Sequence, residues 1–248
     1  MELDGTNNRR RIAPSSACTA PMIQPAGQDT PPLAHPRGTR HEVRRVRQRA
    51  SYDRKTVHAI LDAGMLAHVG FASDGQPFVI PMLYARDGDA LLLHGSIASR
   101  LMNRLGEGIA ACISVTHVDG LVLARSHFDH SMNYRSVVAF GRATLIEDIA
   151  VKADVMTRFV DALIPGRAAE SRPADRNELA ATHMLRFAIE DASAKIRSGA
   201  VKDNPADRAL PHWAGVVPQR IAYGVPEPDD GIDHGTVLPP SVRRLLET

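Results

Sequence analysis

The chain has 248 residues, of which 44% are hydrophobic, so it is long enough to bury a sizeable core. No stretch approaches the roughly 20 apolar residues of a membrane helix. No apolar run follows the arginines at residues 9–11, so no secretory signal is predicted. Cys18 lies in a Pro/Ser-rich segment and Cys112 in an apolar run, which argues against a disulfide framework and favours a reducing, cytoplasmic location.

The formal charge of +2 is unevenly distributed along the chain. The first 50 residues hold nine arginines and four acidic residues, a balance of +5, whereas the remainder balances to −3. Residues 1–41 are also rich in Pro, Gly and Ser without hydrophobic periodicity. We therefore predict a disordered basic arm there, a folded domain over 42–226 and a tail over 227–248. The arginines at 44–49 permit a nucleic-acid contact, but a solvated helix start is the commoner cause of such a run, and we expect no nucleic-acid partner.

The apolar pattern indicates a mainly β protein. A helix is predicted first, after a cap at Ser51 or Asp53. Short apolar runs separated by tight turns then follow, a pattern typical of antiparallel strands. The six predicted strands span residues 66–72, 77–84, 90–94, 109–116, 134–146 and 184–189. Further helices are predicted over 97–105 and 150–163, and Gly141 is a predicted bend or bulge. The fold class is therefore mainly β with flanking helices, with six mostly antiparallel strands in a closed or partly closed barrel.

Residues 94–100, His-Gly-Ser-Ile-Ala-Ser-Arg, run from a strand through a glycine into a helix start. Unpaired backbone N–H groups and the helix dipole make such a start favourable for an anion. Ser96 is placed to cap the helix, and Ser99 and Arg100 follow on the same helical face. Two hydroxyls and a guanidinium in this position predict a phosphate site. The alternative interpretation is an ordinary helix cap with a surface arginine.

Other residues permit two interpretations each. Tyr134 and Ser136 face one side of their predicted strand, so they contact either a planar ligand or the core. Trp213 either stacks on a flat ring or anchors the irregular tail. Neither GxGxxG nor a Walker loop is present, which disfavours both usual nucleotide-binding folds. The closest histidines fit no metal-ligand spacing, and no metal site is predicted. These histidines are His117, His127 and His130.

Seven segments in order carry a resemblance to a known family. They are FVIPMLY, LLLHGSIASRLM, DGLVLARS, HSMNYRSVVAFGRA, a PGR after the predicted helix, RFAIEDASAKIRSG and HWAGVVP. Each segment alone is only moderately specific, but their order and spacing over residues 42–226 are together specific. The chain resembles the pyridoxamine 5'-phosphate oxidase-related proteins, in the flavin-nucleotide-binding branch akin to nitroimidazole-resistance flavoproteins.

The resemblance implies an FMN-binding split β-barrel that forms a homodimer, with FMN at the subunit interface. It places Ser96, Ser99 and Arg100 on the FMN phosphate. Tyr134 and Ser136 match the family's Tyr-x-Ser-Val segment near the cofactor. The remaining implied cofactor-binding residues are Val79, Ile80 and Pro81, whose backbone runs along the isoalloxazine ring, His94 and Gly95 near the ribityl chain, and Trp213 in the family's Trp-Ala-Gly.

From this resemblance we expect an FMN-dependent oxidoreductase acting on a small molecule, with no residue singled out as a catalytic acid or base. The alternatives are a non-catalytic flavin carrier or sensor, and a barrel that binds haem or a deazaflavin. The tail after Asp203 lacks the Arg- and His-rich substrate segment of the true pyridoxamine-phosphate oxidases. We therefore do not expect oxidation of pyridoxamine phosphate.

Overall fold

A computed structural model describes residues 34–35, 38–233 and 235–247. The strands are β1 (Ala50–Ser51), β2 (Leu66–Ser73), β3 (Gln76–Asp87), β4 (Ala90–Ser96), β5 (Ala110–Leu123), β6 (Ser131–Leu145), β7 (Thr182–Arg197) and β8 (Gly215–Pro218). The α-helices are α1 (Arg54–Asp62), α2 (Arg100–Gly106), α3 (Ile149–Leu163), α4 (Arg176–Ala180) and α5 (Pro240–Leu246). Within the described ranges, none of these helices has the length and apolar character needed to cross a membrane.

Six of the strands form a closed ring in the order β7–β4–β3–β2–β5–β6, and β6 pairs again with β7. All of these pairings are antiparallel. β1 attaches to β7 and β8 attaches to β5, outside the ring. Closing the ring pairs strand edges that an open sheet would leave exposed. The predicted six-stranded antiparallel barrel with flanking helices is confirmed.

Two strands extend well beyond the apolar runs that predicted them. β5 has 14 residues, and β7 has 16 where the predicted strand covers only 184–189. The second half of β7 buries Ala192 and Ala194 opposite Ala139 and Val137 of β6. These small residues, which stand among charged ones in the sequence, contribute strand pairing and close packing but add little hydrophobic surface. The hydrophobic pattern therefore does not reveal this half of the strand.

The barrel interior is filled by apolar side chains that alternate along each strand. Leu91 and Leu93 of β4 belong to this interior cluster. Leu92, between them, faces outward and packs with Phe159 of α3 and Met184 in a second cluster. Residues 91–93 of β4 are thus packed on both faces of the strand. This packing holds the strand in place just before the turn into α2.

α1 packs its apolar face against the barrel core and is tied to β3 at its end. Asp53 caps α1, as predicted, and the hydroxyl of Tyr84 donates to the carbonyl oxygen of Leu61. Burial raises the pKa of Tyr84 well above its ordinary value. Arg86 makes a two-point contact with Asp62, with N–O distances of 2.6 and 2.7 Å. The Tyr84 hydroxyl thus binds a carbonyl of the last turn of α1, and the Arg86–Asp62 contact joins the end of the helix to β3.

The predicted arm lies largely outside the described residues, and its described end contacts the barrel. Arg40 forms salt bridges with Glu190 and Asp191 of β7. In the predicted tail, Ser241 of α5 is buried and its hydroxyl donates to the carboxylate of Glu170. Residues before the predicted limit at 42 and after the predicted limit at 226 therefore contact the folded domain. The limits themselves stay predictions.

β6 carries a bulge between Phe140 and Gly141, where its register against β7 shifts. A Cβ atom at Gly141 would lie 1.8 Å from the backbone oxygen of Ala188. Backbone cannot move aside as the tip of a side chain can, so only glycine lets the two strands approach this closely. The irregularity predicted at Gly141 is confirmed.

Gly141→Ala should destabilise the protein by about 3 kcal/mol, because the added methyl group must push β6 away from β7. Chemical denaturation followed by circular dichroism gives the free energy of unfolding. Gly70→Ala is the matched control, since a Cβ there meets the Cys112 oxygen at an ordinary 3.5 Å. Equal stability of Gly141→Ala and the wild type would contradict the close approach of the strands.

Candidate functional site

β3 and β4 separate within the barrel, and the candidate site lies where they do so. They pair over four residues each, ending at Tyr84 opposite Leu93. Beyond this point β4 pairs with β7 as far as Ser96, and residues 76–83 of β3 pair with β2. We call this opening, between residues 76–83 and 94–96, the seam. One edge of β3 has no strand partner there among the described residues, so its backbone donors and acceptors are open to a ligand.

The turn after the seam differs in detail from the predicted one. α2 begins at Arg100, and Ser99 is its N-cap, accepting from the backbone N–H of Met102 at 3.4 Å. Ser96 instead accepts from the N–H of Ala98 at 3.1 Å within the turn. The prediction of an earlier helix start capped by Ser96 is wrong. β4 keeps its pairing with β7 through Ser96, and the helix can begin only after the chain has turned.

Gly95 lets α2 fold back onto the end of β4. A Cβ at Gly95 would lie 2.9 Å from Cγ of the buried Met102. Gly95 of β4 pairs with His183 of β7, and Nε2 of His183 lies 3.0 Å from Oδ1 of Asn103 in α2. Asn103 and His183 are not among the predicted site residues. They are 80 residues apart, and only the register of β4 with β7 brings them together.

Arg100 crosses the seam from α2 to β3. Its Cζ lies 4.1 Å from the ring centroid of Phe78, a cation–π contact. Arg104, one helical turn later, is paired with Glu107, whereas no carboxylate of the described residues forms a salt bridge with Arg100. A positive charge that is held in place and has no acidic partner is suited to binding an anion. Phe78 is a further site residue that the sequence did not single out.

His94 lies at the start of the seam but faces away from the barrel interior. Its ring meets Phe159 of α3 edge-on, with the centroids 4.8 Å apart. Desolvation by its surroundings lowers the pKa of His94 below its ordinary value, although part of the side chain is exposed.

The outer face of β2 and β3 next to the seam is apolar and exposed. Val79 and Pro81 point outward, with 67% of Val79 exposed, whereas Ile80 packs against the barrel core. We call the exposed set the outer strip, which consists of Leu66, His68, Val79, Pro81 and Leu83. Leu66 faces Leu83 and His68 faces Pro81 across the two strands. A contiguous exposed apolar surface of this kind is typical of an interaction site.

The structure divides the predicted site residues into two groups. Ser96, at the seam, pairs with Thr182 at the start of β7, whereas Tyr134 pairs with Arg197 at its end. β7 has 16 residues, so at about 3.3 Å per residue its ends are about 50 Å apart along the strand. A single chain therefore does not bring the two groups together. The far group consists of Tyr134, Ser136 and Trp213.

The far group presents an aromatic side chain to solvent. Trp213 is 66% exposed and precedes β8, which pairs with the end of β5. Its ring lies over Gly215, where a Cβ would approach ring atoms to 2.8 Å. Tyr134 and Ser136 are half-buried, and the Ser136 hydroxyl donates to the carbonyl oxygen of Lys195 at 3.3 Å. This end of the protein can therefore stack on a flat ligand.

Residues able to bind metals do not converge in the part of the chain that the structure describes, where no group of three His, Cys, Asp or Glu residues could hold an ion. Nε2 of His117 instead lies 2.9 Å from the carbonyl oxygen of Ile60. His127 and His130 meet only edge to face, with ring centroids 6.4 Å apart.

Comparisons with known proteins agree with this architecture. The family described as pyridoxamine 5'-phosphate oxidase matches residues 53–196. The flavocytochrome Anf3 from Azotobacter vinelandii is 43% identical with a TM-score of 0.78, over 84% of this chain and 97% of that one. The FAD and heme binding protein from Mycobacterium smegmatis is 40% identical with a TM-score of 0.77, over 80% of this chain and 97% of that one.

A more distant similarity concerns the fold alone. A structure described as a 5-nitroimidazole antibiotic resistance protein, from Bacteroides thetaiotaomicron, is 19% identical with a TM-score of 0.51. The match covers 59% of this chain and 86% of that one. No curated protein matches the chain.

Proposed function

Because the chain belongs to the pyridoxamine 5'-phosphate oxidase family, we propose that it binds a flavin at the seam and acts as an oxidoreductase on a small molecule. The observation that carries the proposal is Arg100, which contacts Phe78 across the seam and forms no salt bridge with an acidic side chain of the described residues. The descriptions of the two similar structures, a flavocytochrome and an FAD and heme binding protein, support a flavin.

The flavin phosphate would be held by Ser96, Ser99 and Arg100. Both serine oxygens accept a backbone N–H, so each hydroxyl proton remains free to be donated to a phosphate oxygen. Arg100 adds a charge-assisted bond to this phosphate, which carries nearly two negative charges in FMN and one in FAD. FMN and FAD share the phosphate, so the same turn serves either one. Mass identification of the released cofactor distinguishes them.

The flavin ring would lie along the free edge of β3. The backbone of Val79, Ile80 and Pro81 pairs with β2 on one edge, and its other edge faces the seam. Val79 and Pro81 present an apolar outer face to a flat ring. Pro81 has no N–H, so the donors on this stretch come from its neighbours. Bound flavin supplies hydride and electron transfer, and the residues of the chain bind and orient it.

The site would be completed by a second copy of the chain. The outer strip is exposed at the seam, and the stacking surface of Trp213 lies at the other end of β7. A two-fold dimer that places the far group of one chain over the seam of the other forms two equivalent sites. Each flavin would then contact both chains. A non-catalytic carrier would bind in the same way but would not be reduced by NAD(P)H and reoxidised by a substrate at useful rates.

Arg100→Ala should weaken FMN binding by about ten- to a hundredfold, because a charge-assisted bond to the phosphate is lost. Arg100→Lys should lose less. Riboflavin, which has no phosphate, should bind wild type and Arg100→Ala equally. Fluorescence titration of the apo-protein with each ligand measures these affinities.

Arg104→Ala is the matched control for this experiment. It removes the same charge from the same helix, but Arg104 is already paired with Glu107. Its FMN affinity should equal that of the wild type. If Arg100→Ala binds FMN as tightly as the wild type, the phosphate does not lie at this turn.

Leu83→Lys should convert the dimer to a monomer that loses its flavin, since it places a charge in the apolar outer strip. Light scattering combined with flavin absorbance per chain measures both effects. Ile149→Lys is the control, because Ile149 is 44% exposed and Leu83 43%, but Ile149 lies on α3. A stable wild-type monomer that retains one flavin would contradict the composite site.

Haem is a second candidate ligand. The Mycobacterium smegmatis protein is described as binding FAD and heme, and Anf3 as a flavocytochrome. A haem site needs an axial ligand beside an apolar surface. His68 of the outer strip fits this need, since its exposed imidazole lies opposite Pro81 and two residues from exposed Leu66.

If haem is bound there, the purified protein should show a Soret band that His68→Ala loses while the flavin absorbance remains. His212→Ala, which changes an exposed histidine of the irregular tail, should keep both absorbances. A flavin spectrum without a Soret band in haem-supplemented cells would rule out the haem candidate. A Soret band retained in His68→Ala would place the haem elsewhere.

A further inference from the structure

A second concave site lies at the far end of β7, away from the seam. It is a cavity of about 270 Å³. One wall comes from Gln48 and Arg49, in the 3-10 turn Arg47–Arg49 before β1. The other comes from Arg197 at the end of β7 and from Ser198 and Lys202 beyond it. The described residues that line the cavity include three basic side chains and no acidic one.

Arg197 is the most informative of these residues because it is only 7% exposed. Its Nη1 donates to Oδ1 of Asn133, and the Asn133 amide in turn donates to the carbonyl oxygen of Gly199 at 3.1 Å. This neutral amide orients the guanidinium without balancing its charge. Among the described residues, no carboxylate lies within 4.0 Å of Arg197. A buried charge is costly unless it is paired, so the structure holds a cation that lacks its counter-ion.

The carboxylate nearest in sequence is already engaged. Asp203 follows Lys202 directly, but it accepts from the backbone N–H and the guanidinium of Arg125. These bonds from Arg125 hold the pKa of Asp203 below its ordinary value. Glu42, close to the 3-10 turn in sequence, pairs with Arg44 and Arg47 rather than with Arg49. The positive charge at the cavity is therefore not offset by these neighbours.

We propose that this cavity binds a phosphoryl group of a small ligand. Two guanidinium forks can each make parallel bonds to phosphate oxygens, and a lysine adds a point charge. Ser198 and Gln48 supply neutral donors at the same wall. The volume lies just below the roughly 300–1,000 Å³ of pockets for drug-sized ligands, so it suits a phosphate or diphosphate with a small substituent.

The residues of this site differ from those assigned to the flavin phosphate at Arg100. Arg197 pairs in register with Tyr134, which belongs to the far group that would reach the seam of a second chain. Two sources of the phosphoryl group follow from this position. One is the adenosine-side phosphate of an FAD whose flavin-side phosphate is held at Arg100 of the other chain, and the other is a separate phosphorylated ligand. Both sources share the chemistry that the cavity recognises.

Calorimetric titration of the full-length protein with inorganic pyrophosphate tests the proposal. We expect saturable binding that Arg49→Gln and Lys202→Gln each weaken by about tenfold. Both residues are more exposed than Arg197, so these variants test the site even if a change at Arg197 prevents folding. Arg176→Gln is the charge-matched control, because it removes an exposed arginine on α4 and should leave the affinity unchanged.

Titration of Arg100→Ala separates this proposal from the flavin proposal. Unchanged pyrophosphate binding in Arg100→Ala supports the cavity whether or not flavin binds at the seam. Three results would overturn the proposal: no saturable binding to the wild type, equal weakening by Arg176→Gln, or binding that is lost in Arg100→Ala and kept in Arg49→Gln.

Competition then identifies the source of the phosphoryl group. Displacement of pyrophosphate by FAD and not by FMN assigns the cavity to the adenosine-side phosphate of the dinucleotide. Displacement by neither assigns it to a separate phosphorylated ligand. Both results support a phosphoryl site in the cavity.

Discussion

The separation of β3 from β4 is the constraint on which the rest of the candidate site depends. A closed barrel pairs the edges of its strands, and here the ring is complete around all six strands. Between β3 and β4, however, the pairing lasts for only four residues on each strand. The remaining part of β3 keeps one open backbone edge. Gly95 then admits α2 against the end of β4, and α2 carries Arg100 to the ring of Phe78. This opening in the barrel is thus a place where polar groups and charge are available to a ligand.

The distribution of paired and unpaired arginines supports the same conclusion. Arg86, Arg125 and Arg135 each make a short contact with an aspartate, so their charges are used within the chain. Arg100 is held by an aromatic ring and Arg197 by a neutral amide, and neither of these partners carries a negative charge. Both are oriented without being neutralised. An oriented cation costs less to bring to an anion than a mobile one, because its side chain is already ordered.

Local sequence signals sufficed where local chemistry sets the structure. The Asp-Gly pair at residues 74–75, between two apolar runs, is typical of a two-residue hairpin turn, and both residues adopt the positive φ that such a turn requires, at 52° and 78°. The length of β7 and the start of α2 were not recognisable, because each depends on pairing with strands far away in the sequence. The same dependence on distant strands decides which site residues could be predicted. Ser99 and Arg100 follow from the pattern of one short segment, whereas Phe78 and His183 join them only through the closed ring.

The two exposed apolar surfaces have one common explanation under the proposed dimer. Val79 and Leu83 are exposed beside the seam, and Trp213 and Phe128 are exposed at the opposite end of the sheet. Exposing two such surfaces is unfavourable for an isolated chain. A two-fold operation that covers the first surface of one chain with the second surface of the other covers all four surfaces at once. The same operation brings the far group to the seam, which a single chain cannot do because β7 holds the two regions apart. The length of β7 therefore makes a composite site the arrangement that uses both groups.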